Sequence, residues 1–162
     1  MAGKCELTGP YPGVLGEVVG WHGRYYNDAW GLDRSFGAEV AGELGEFMLR
    51  YDEARDVFVV ARDGGTYAGS VVLDGSGESA RLRWFFVPPT MRGRGVGQAL
   101  MEWVMTQVRS RGIASVYLWT FQGLDAARAL YLRTGFTVRE EVLMHRWGRE
   151  GLMQRYGLDL TY

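Results

Sequence analysis

Arg92-Gly93-Arg94-Gly95-Val96-Gly97 follows an apolar run, Leu82 to Val87, that ends at Pro88-Pro89, and it opens a helical pattern from about Val96 to Arg111. Glycine at every second position strips side chains from a strand-to-helix turn, so backbone N–H groups there can approach a ligand closely. The start of a helix adds donors without intrahelical partners and the positive end of its dipole. Arg92 and Arg94 add charge. A turn of this kind suits a phosphate or pyrophosphate. A turn that needs glycine only for its own backbone is the competing reading, and the triplet by itself does not separate the two.

Outward from this turn the chain alternates between two periods. After the glycines, Val96, Leu100, Trp103, Val104 and Val108 fall on one helical face, with Gly112 as its C-terminal cap. Ser115 to Phe121 reads as a strand, and Leu124 to Thr134 as a helix stopped by Gly135. Phe136 to His145 and Leu152 to Leu160 read as two strands joined by a loop with Gly148 and Gly151. Before the glycines, three strands form a meander: Val57 to Ala61, Tyr67 to Leu73 and Ala80 to Val87, with a hairpin signal at Asp63-Gly64-Gly65. Two helical stripes precede them. One runs from Val14 to Trp30 and the other, through Phe36, Val40, Leu44 and Phe47, ends near Tyr51. Residues 1–12, with Gly9, Pro10 and Pro12, read as an irregular arm. The order predicts a mixed α/β (α+β) domain on a mainly antiparallel sheet, with no internal domain boundary over 1–162.

Composition narrows the setting. With 162 residues, 47% of them hydrophobic, the chain is long enough for one globular core. A net charge of −1 gives no argument for nucleic acid or a membrane surface as partner. No apolar run reaches the ~20 residues of a membrane span, and Met1 to Gly20 has no signal-peptide core. One cysteine, Cys5, forms no internal disulfide and no metal cluster, so a cytoplasmic setting without a bound metal is expected. Six tryptophans and nine tyrosines are enough to line a pocket as well as a core.

Rival phosphate loops are distinguishable by spacing. A Walker A loop needs Gly-Lys followed by Ser or Thr, and no lysine stands here. A dinucleotide fingerprint needs a third glycine where Gln98 stands. The acyl-CoA pattern Arg/Gln-x-x-Gly-x-Gly/Ala is met by Arg92, Gly95 and Gly97. About thirty residues on, Ala127 to Tyr131 and then Gly135-Phe136 supply a second motif in the next helix. On these two motifs the chain resembles the GNAT N-acetyltransferase superfamily over about 57–140. A closer likeness, to the acetyltransferase domains fused to MarR-type regulators, extends over about 14–160. It rests on His22, Gly23 and Tyr26, on Leu82, Arg83, Val87 and Pro89, on Leu118 to Thr120, on Ala126 to Tyr131, and on Leu158 to Leu160. The acetyltransferase module is expected to stand without a winged-helix portion.

The resemblance implies a mostly antiparallel sheet of six to seven strands flanked by four helices. It implies a splayed opening between the strand before the glycine loop and the strand after the next helix, where the pantetheine arm of acetyl-CoA lies. The backbone of Phe85, Phe86 and Val87 would meet that arm and the thioester. The amides of Gly93, Arg94, Gly95, Val96 and Gly97 would hold the pyrophosphate, with Arg92 and Arg94 either touching phosphate or capping the loop. Tyr131 would protonate the leaving thiolate, or else only pack beneath it.

The general base is not legible. Many superfamily members carry a glutamate on the strand before the loop, where this chain has Arg81-Leu-Arg-Trp-Phe-Phe. His22, His145, Glu140 and Glu141 are candidates, with Glu78 in the preceding turn. An acceptor pocket is expected between the first helices and the last strands, with Trp21, His22, Tyr26, Trp30, Trp119 and Trp147 as walls. His22, Tyr26 and Trp119 are the substrate-contact candidates. The expected activity is acetyl transfer from acetyl-CoA to a primary amine of a small molecule, amino acid or peptide. A non-catalytic acyl-CoA sensor is the alternative, motivated by the missing glutamate. The last strands offer edges for a homodimer.

Overall fold

The computed structural model describes residues 4–162. Its elements are β1 (Glu6–Thr8), α1 (Val14–Trp30), α2 (Arg34–Leu49), β2 (Val57–Asp63), β3 (Thr66–Asp74), β4 (Ala80–Phe86), α3 (Val96–Ser110), β5 (Ser115–Phe121), α4 (Asp125–Thr134), β6 (Thr137–Arg146) and β7 (Arg149–Asp159). A 3₁₀ turn, Pro89–Met91, links β4 to the glycine loop. The seven strands form one sheet in the order β1-β2-β3-β4-β5-β7-β6. Every pairing is antiparallel except that of β4 with β5.

Strand alternation sorts the core into two layers. On β2, Val57, Val59 and Ala61 pack toward α3, while Phe58 and Val60 pack toward α1 and α2. The buried stripe of α3 is Val96, Leu100, Met101, Val104, Met105 and Val108. Helices α1 and α2 cross at Gly23 and Gly37, where a Cβ on Gly37 would lie 3.6 Å from the Gly23 Cα. The close approach lets two short helices cover one half of the sheet and leaves their far ends beside β4 and β5.

Several expectations need correction. The N-terminal arm is not wholly irregular: Glu6–Thr8 pairs with Thr8 opposite Val60 and Glu6 opposite Arg62. Three residues are too short for a period to register, and the flanking prolines mask them. Trp103 is 46% exposed, because the 3.6-residue period gives its place on the α3 face to Met101 and Met105. The final hairpin has no long loop. Arg146 pairs with Arg149 across Trp147-Gly148, both at positive φ (56° and 74°), and Gly151 lies inside β7. Positive φ at both central residues is what a two-residue hairpin turn of right-handed strands requires. Of the two last strands only β6 is an edge, since β7 is held between β5 and β6.

Candidate active site

The sheet opens where its one parallel pairing fails. β4 and β5 are joined at Ala80–Val116 and Arg81–Tyr117, and beyond those pairs they diverge. The register of β3 with β4 also shifts, from Val72–Arg83 to Ser70–Phe86, so β4 carries one extra residue. The extra residue is absorbed at Trp84, whose φ is 46°. As a result the alternation set by Ala80 and Leu82 is reversed past the bulge, so that Phe85 takes the α3–α4 face and Phe86 the α1–α2 face. Phe85 lies 6.1 Å from the ring of Tyr131 on α4, while Phe86 lies 5.1 Å from the ring of His22 on α1. Gly69 makes room for the bulge: at φ 149°, a Cβ there would sit 2.9 Å from the Phe86 carbonyl oxygen. The cavity between the parted strands has a volume of about 930 Å³.

The α3–α4 face of this cavity is made of backbone. Gly93 and Gly95 have φ of 74° and 78° with open space where a Cβ would be. Among the described residues, the N–H groups of Gly93, Arg94 and Gly95 donate to no backbone carbonyl, and Val96, Gly97 and Gln98 form the first turn of α3. Six consecutive amides are thus available at the positive end of a helix. Gly97 is glycine for lack of space, its missing Cβ 3.3 Å from the Phe85 ring. Both arginines of the loop are engaged within the protein. Arg92 donates to the Val87 carbonyl (3.1 Å) and the Tyr25 hydroxyl (3.2 Å), and Arg94 pairs with Asp63 at 3.0 Å. Val87 and Val96 line the same wall.

Tyr131 closes the inner end of that wall, buried against Phe136 and Tyr156. Burial raises the pKa of its phenol far above the usual 10, so it stays protonated. Its hydroxyl has no hydrogen-bond partner among the described residues, and neither does that of Tyr26, which faces it from α1 with its pKa also raised by burial.

The α1–α2 face is made of side chains from distant parts of the chain. Phe36 and Phe121 each pack against both Tyr26 and Trp147, with Trp30 against Phe121. The hairpin tip is clamped onto α2: the Trp147 indole N–H donates to Glu39 Oε2 at 2.5 Å, Arg146 pairs with the other Glu39 oxygen, and the Trp147 carbonyl accepts from Asp33 N–H at 2.8 Å. Glu39 and Glu43, one helical turn apart, both line the cavity. Sequence reasoning missed them, although each immediately precedes a buried residue of the α2 stripe, Val40 and Leu44. Trp119 lines the cavity from β5. Trp21 does not: it packs on Phe86 from outside.

His22 lines the cavity as a buried base candidate. Its Nδ1 donates to the Val18 carbonyl at 2.8 Å, so the proton sits on that nitrogen and Nε2 is a bare acceptor. Burial pushes its pKa down from 6.5 to about 4, with the Val18 bond opposing, so the ring is neutral at pH 7. His145 also lines the cavity, as an exposed partner of Glu150 (3.1 Å) on β6. Glu140 and Glu141 are exposed on β6, bonded to Arg155 and Gln154, and Glu78 lies exposed in a turn. No cluster of His, Cys, Asp or Glu among the described residues is arranged to hold a metal, and no described helix is long and apolar enough to cross a membrane.

A mostly antiparallel sheet split beside a glycine-rich helix start defines the acyl-CoA N-acyltransferase class of fold. The chain belongs to the acetyltransferase (GNAT) family, whose model matches residues 16–136. It is 33% identical to an IAA acetyltransferase of Azospirillum brasilense over 84 residues, 51% of this chain and 55% of that protein. It is 30% identical to an uncharacterized N-acetyltransferase of Schizosaccharomyces pombe over 118 residues, 71% of this chain and 72% of that one. The matched segments thus span about half the length of the first relatives, 55% and 45% for two of them. Among solved structures, yncA of Salmonella typhimurium, determined with its cofactor acetyl-CoA, superposes with a TM-score of 0.79 at 14% identity, covering 99% of this chain and 96% of that one.

Proposed function

We propose that the protein is an N-acetyltransferase that moves an acetyl group from acetyl-CoA directly to a primary amine of a small molecule, amino acid or peptide. The observation that carries this reading is the pairing of two unlike walls across one split strand. The free amides of the glycine loop and the first turn of α3 form one wall and an aromatic chamber forms the other, and both meet at the β4 bulge. The site suits acetyl-CoA as co-substrate. An anion needs donors without a Cβ in the way, and Gly93 and Gly95 present open space at positive φ.

In this reading the amides from Gly93 to Gly97 hold the pyrophosphate, and Arg92 and Arg94 hold the loop in shape and lend it charge. The backbone of Phe85, Phe86 and Val87, freed from β5, aligns the pantetheine arm and polarises the thioester carbonyl. The acceptor ammonium first gives up a proton. Its nitrogen then attacks the thioester carbon, a C–N bond forms, and the C–S bond breaks. Tyr131 donates a proton to the leaving sulfur and is reprotonated from the proton the nitrogen sheds. The net products are amide, free CoA and one proton. His22, Tyr26 and Trp119 contact the acceptor. The neutral Nε2 of His22 accepts a hydrogen bond from the amine or from a relay water in this reading, which its Nδ1 bond to Val18 and its lowered pKa support.

The proposal extends to a single working domain over 1–162, to kinship with the domains fused to MarR-type regulators, and to a cytoplasmic setting that the free Cys5 suits. A homodimer would form through the β6 edge. Thermal unfolding with acetyl-CoA tests the core of it. At a hundredfold excess over Kd, about 2.7 kcal/mol of stabilisation is expected, or roughly 5–10 °C in Tm for a chain of this size. A folded protein whose Tm moves with neither CoA nor acetyl-CoA at millimolar concentration overturns the reading.

A further inference from the structure

Five arginines line the cavity, and their partners set them apart. Arg83 pairs with Glu43 at 2.6 Å and lies 3.7 Å from Asp74. Arg146 pairs with Glu39. Arg92 is bonded to Val87 and Tyr25, and Arg133 is exposed on α4. Arg81 alone is partly buried without an ion pair or a side-chain hydrogen bond among the described residues, and its Nε is completely enclosed and unpartnered. The other enclosed nitrogen of this kind, Arg62 Nε, belongs to a guanidinium that still donates to the Gly65 carbonyl and stacks on Tyr11. A guanidinium always carries its charge and five donors. Leaving one half-buried and unanswered is costly, which marks the position as built for a group that arrives later.

Its placement says which group. Ala80 and Leu82 face the α3 layer, so Arg81 and Arg83 face the α1–α2 layer, where Arg83 meets Glu43 of α2. Arg81 therefore stands on the aromatic wall and not on the amide wall. It sits at the last β4–β5 pair, opposite Tyr117, with its guanidinium 6.0 Å over that ring. The bulge at Trp84 is three residues further along β4, roughly 10 Å. A molecule with its amine at the bulge and an oxyanion a few bonds away spans the gap once the long arginine side chain is counted.

We infer that Arg81 is a specificity residue that binds the carboxylate of the acceptor, and that the acceptor class is amino acids. The planar fork of a guanidinium matches two carboxylate oxygens at once. The nearby carboxylates Glu39 and Glu43 are already neutralised by Arg146 and Arg83, so among the described residues of this wall the acceptor meets one free positive charge. This rests on the acyltransferase reading above.

The test uses two pairs of amines that differ by one carboxylate: L-phenylalanine with phenethylamine, and γ-aminobutyrate with propylamine. In at least one pair, kcat/KM is expected to favour the carboxylate member by on the order of 10²-fold. Arg81→Met should abolish the preference by raising KM for that member, with kcat and the acetyl-CoA Kd within about threefold of the unmodified protein. Arg81→Lys should restore part of it, and it serves alone if Arg81→Met fails to fold: KM must rise for the carboxylate member and not for its plain amine. Equal use of both members, or a preference that survives the substitutions, overturns the inference. So does binding of acetyl-CoA without acetylation of any of the four compounds, which leaves the acyltransferase reading standing. Failure to bind acetyl-CoA overturns both.

Discussion

On the α3–α4 side of the split sheet, the groups offered to a ligand are backbone amides set by Gly93, Gly95 and Gly97. On the α1–α2 side they are side chains drawn from Tyr26, Phe36, Glu39, Arg81, Trp119 and Trp147, residues spread over more than a hundred positions. A backbone site depends on local conformation, accepts any ligand with a phosphate in the right place, and does not titrate. A side-chain site depends on tertiary packing, is selective, and carries the ionisable groups. The first arrangement suits a co-substrate common to many reactions, and the second suits an acceptor that distinguishes this protein from its relatives.

The largest expected effect tests where the two faces meet. Tyr131 and Tyr26 are buried residues that both present an unpartnered hydroxyl to the same cavity, one on each face. Tyr131→Phe should lower kcat by about 10³-fold at pH 7, the range of a lost general acid, with the acetyl-CoA Kd within a factor of about two. Tyr26→Phe should instead raise the acceptor KM and spare kcat. Steady-state kinetics on both variants decides the matter. The reverse assignment would put the acid on the acceptor wall and break the division of labour.

Legibility in the sequence follows the same division. The strand-loop-helix unit is written in consecutive residues, so the start of α3 at Val96 and the bounds of β5 agree with its pattern. Gly135 likewise closes α4 at φ 106°. The Trp84 bulge was not legible, because a tryptophan at positive φ in an apolar run carries no turn signal. Nor was the Glu39–Trp147 bond, whose partners lie 108 residues apart. Glu39 and Glu43 look like the solvated rim of an amphipathic helix until β4 and the final hairpin are folded over them. Among the base candidates, only the tertiary fold separates buried His22 from exposed His145.

A second prediction asks whether the acceptor face is as pH-sensitive as its composition implies. His22 has a folded pKa near 4 against 6.5 in the unfolded chain. Because the folded value is the lower, stability is full above pH 6.5. It declines as pH falls toward 4, where the unfolded chain binds a proton that the native state refuses. At 1.36 kcal/mol per pH unit, this gap costs about 3 kcal/mol by pH 4. Urea unfolding from pH 7.5 to 4.5 should show a steeper loss in the unmodified protein than in His22→Gln, whose carboxylates titrate alike. Parallel curves would mean that His22 is not held as a buried neutral ring.

The smallest effect bears on the co-substrate face, and it separates backbone from side chain within one loop. Gly95 at φ 78° has open space around its missing Cβ, so Gly95→Ala introduces no clash and acts through conformation alone. Holding alanine in the left-handed region costs roughly 1–2 kcal/mol. If the loop relaxes to avoid that cost, its amides turn from the ligand, and the acetyl-CoA Kd should rise about tenfold by isothermal titration. Arg94 pairs with Asp63, and the two side chains are 28% and 32% exposed. Such a pair contributes no more than about 1 kcal/mol. Arg94→Ala should therefore lower Tm slightly and change the acetyl-CoA Kd by less than about threefold. A large effect from Arg94→Ala with none from Gly95→Ala would mean that the guanidinium grips the pyrophosphate. The co-substrate face would then be a side-chain site like its neighbour, and the glycines would serve only the turn.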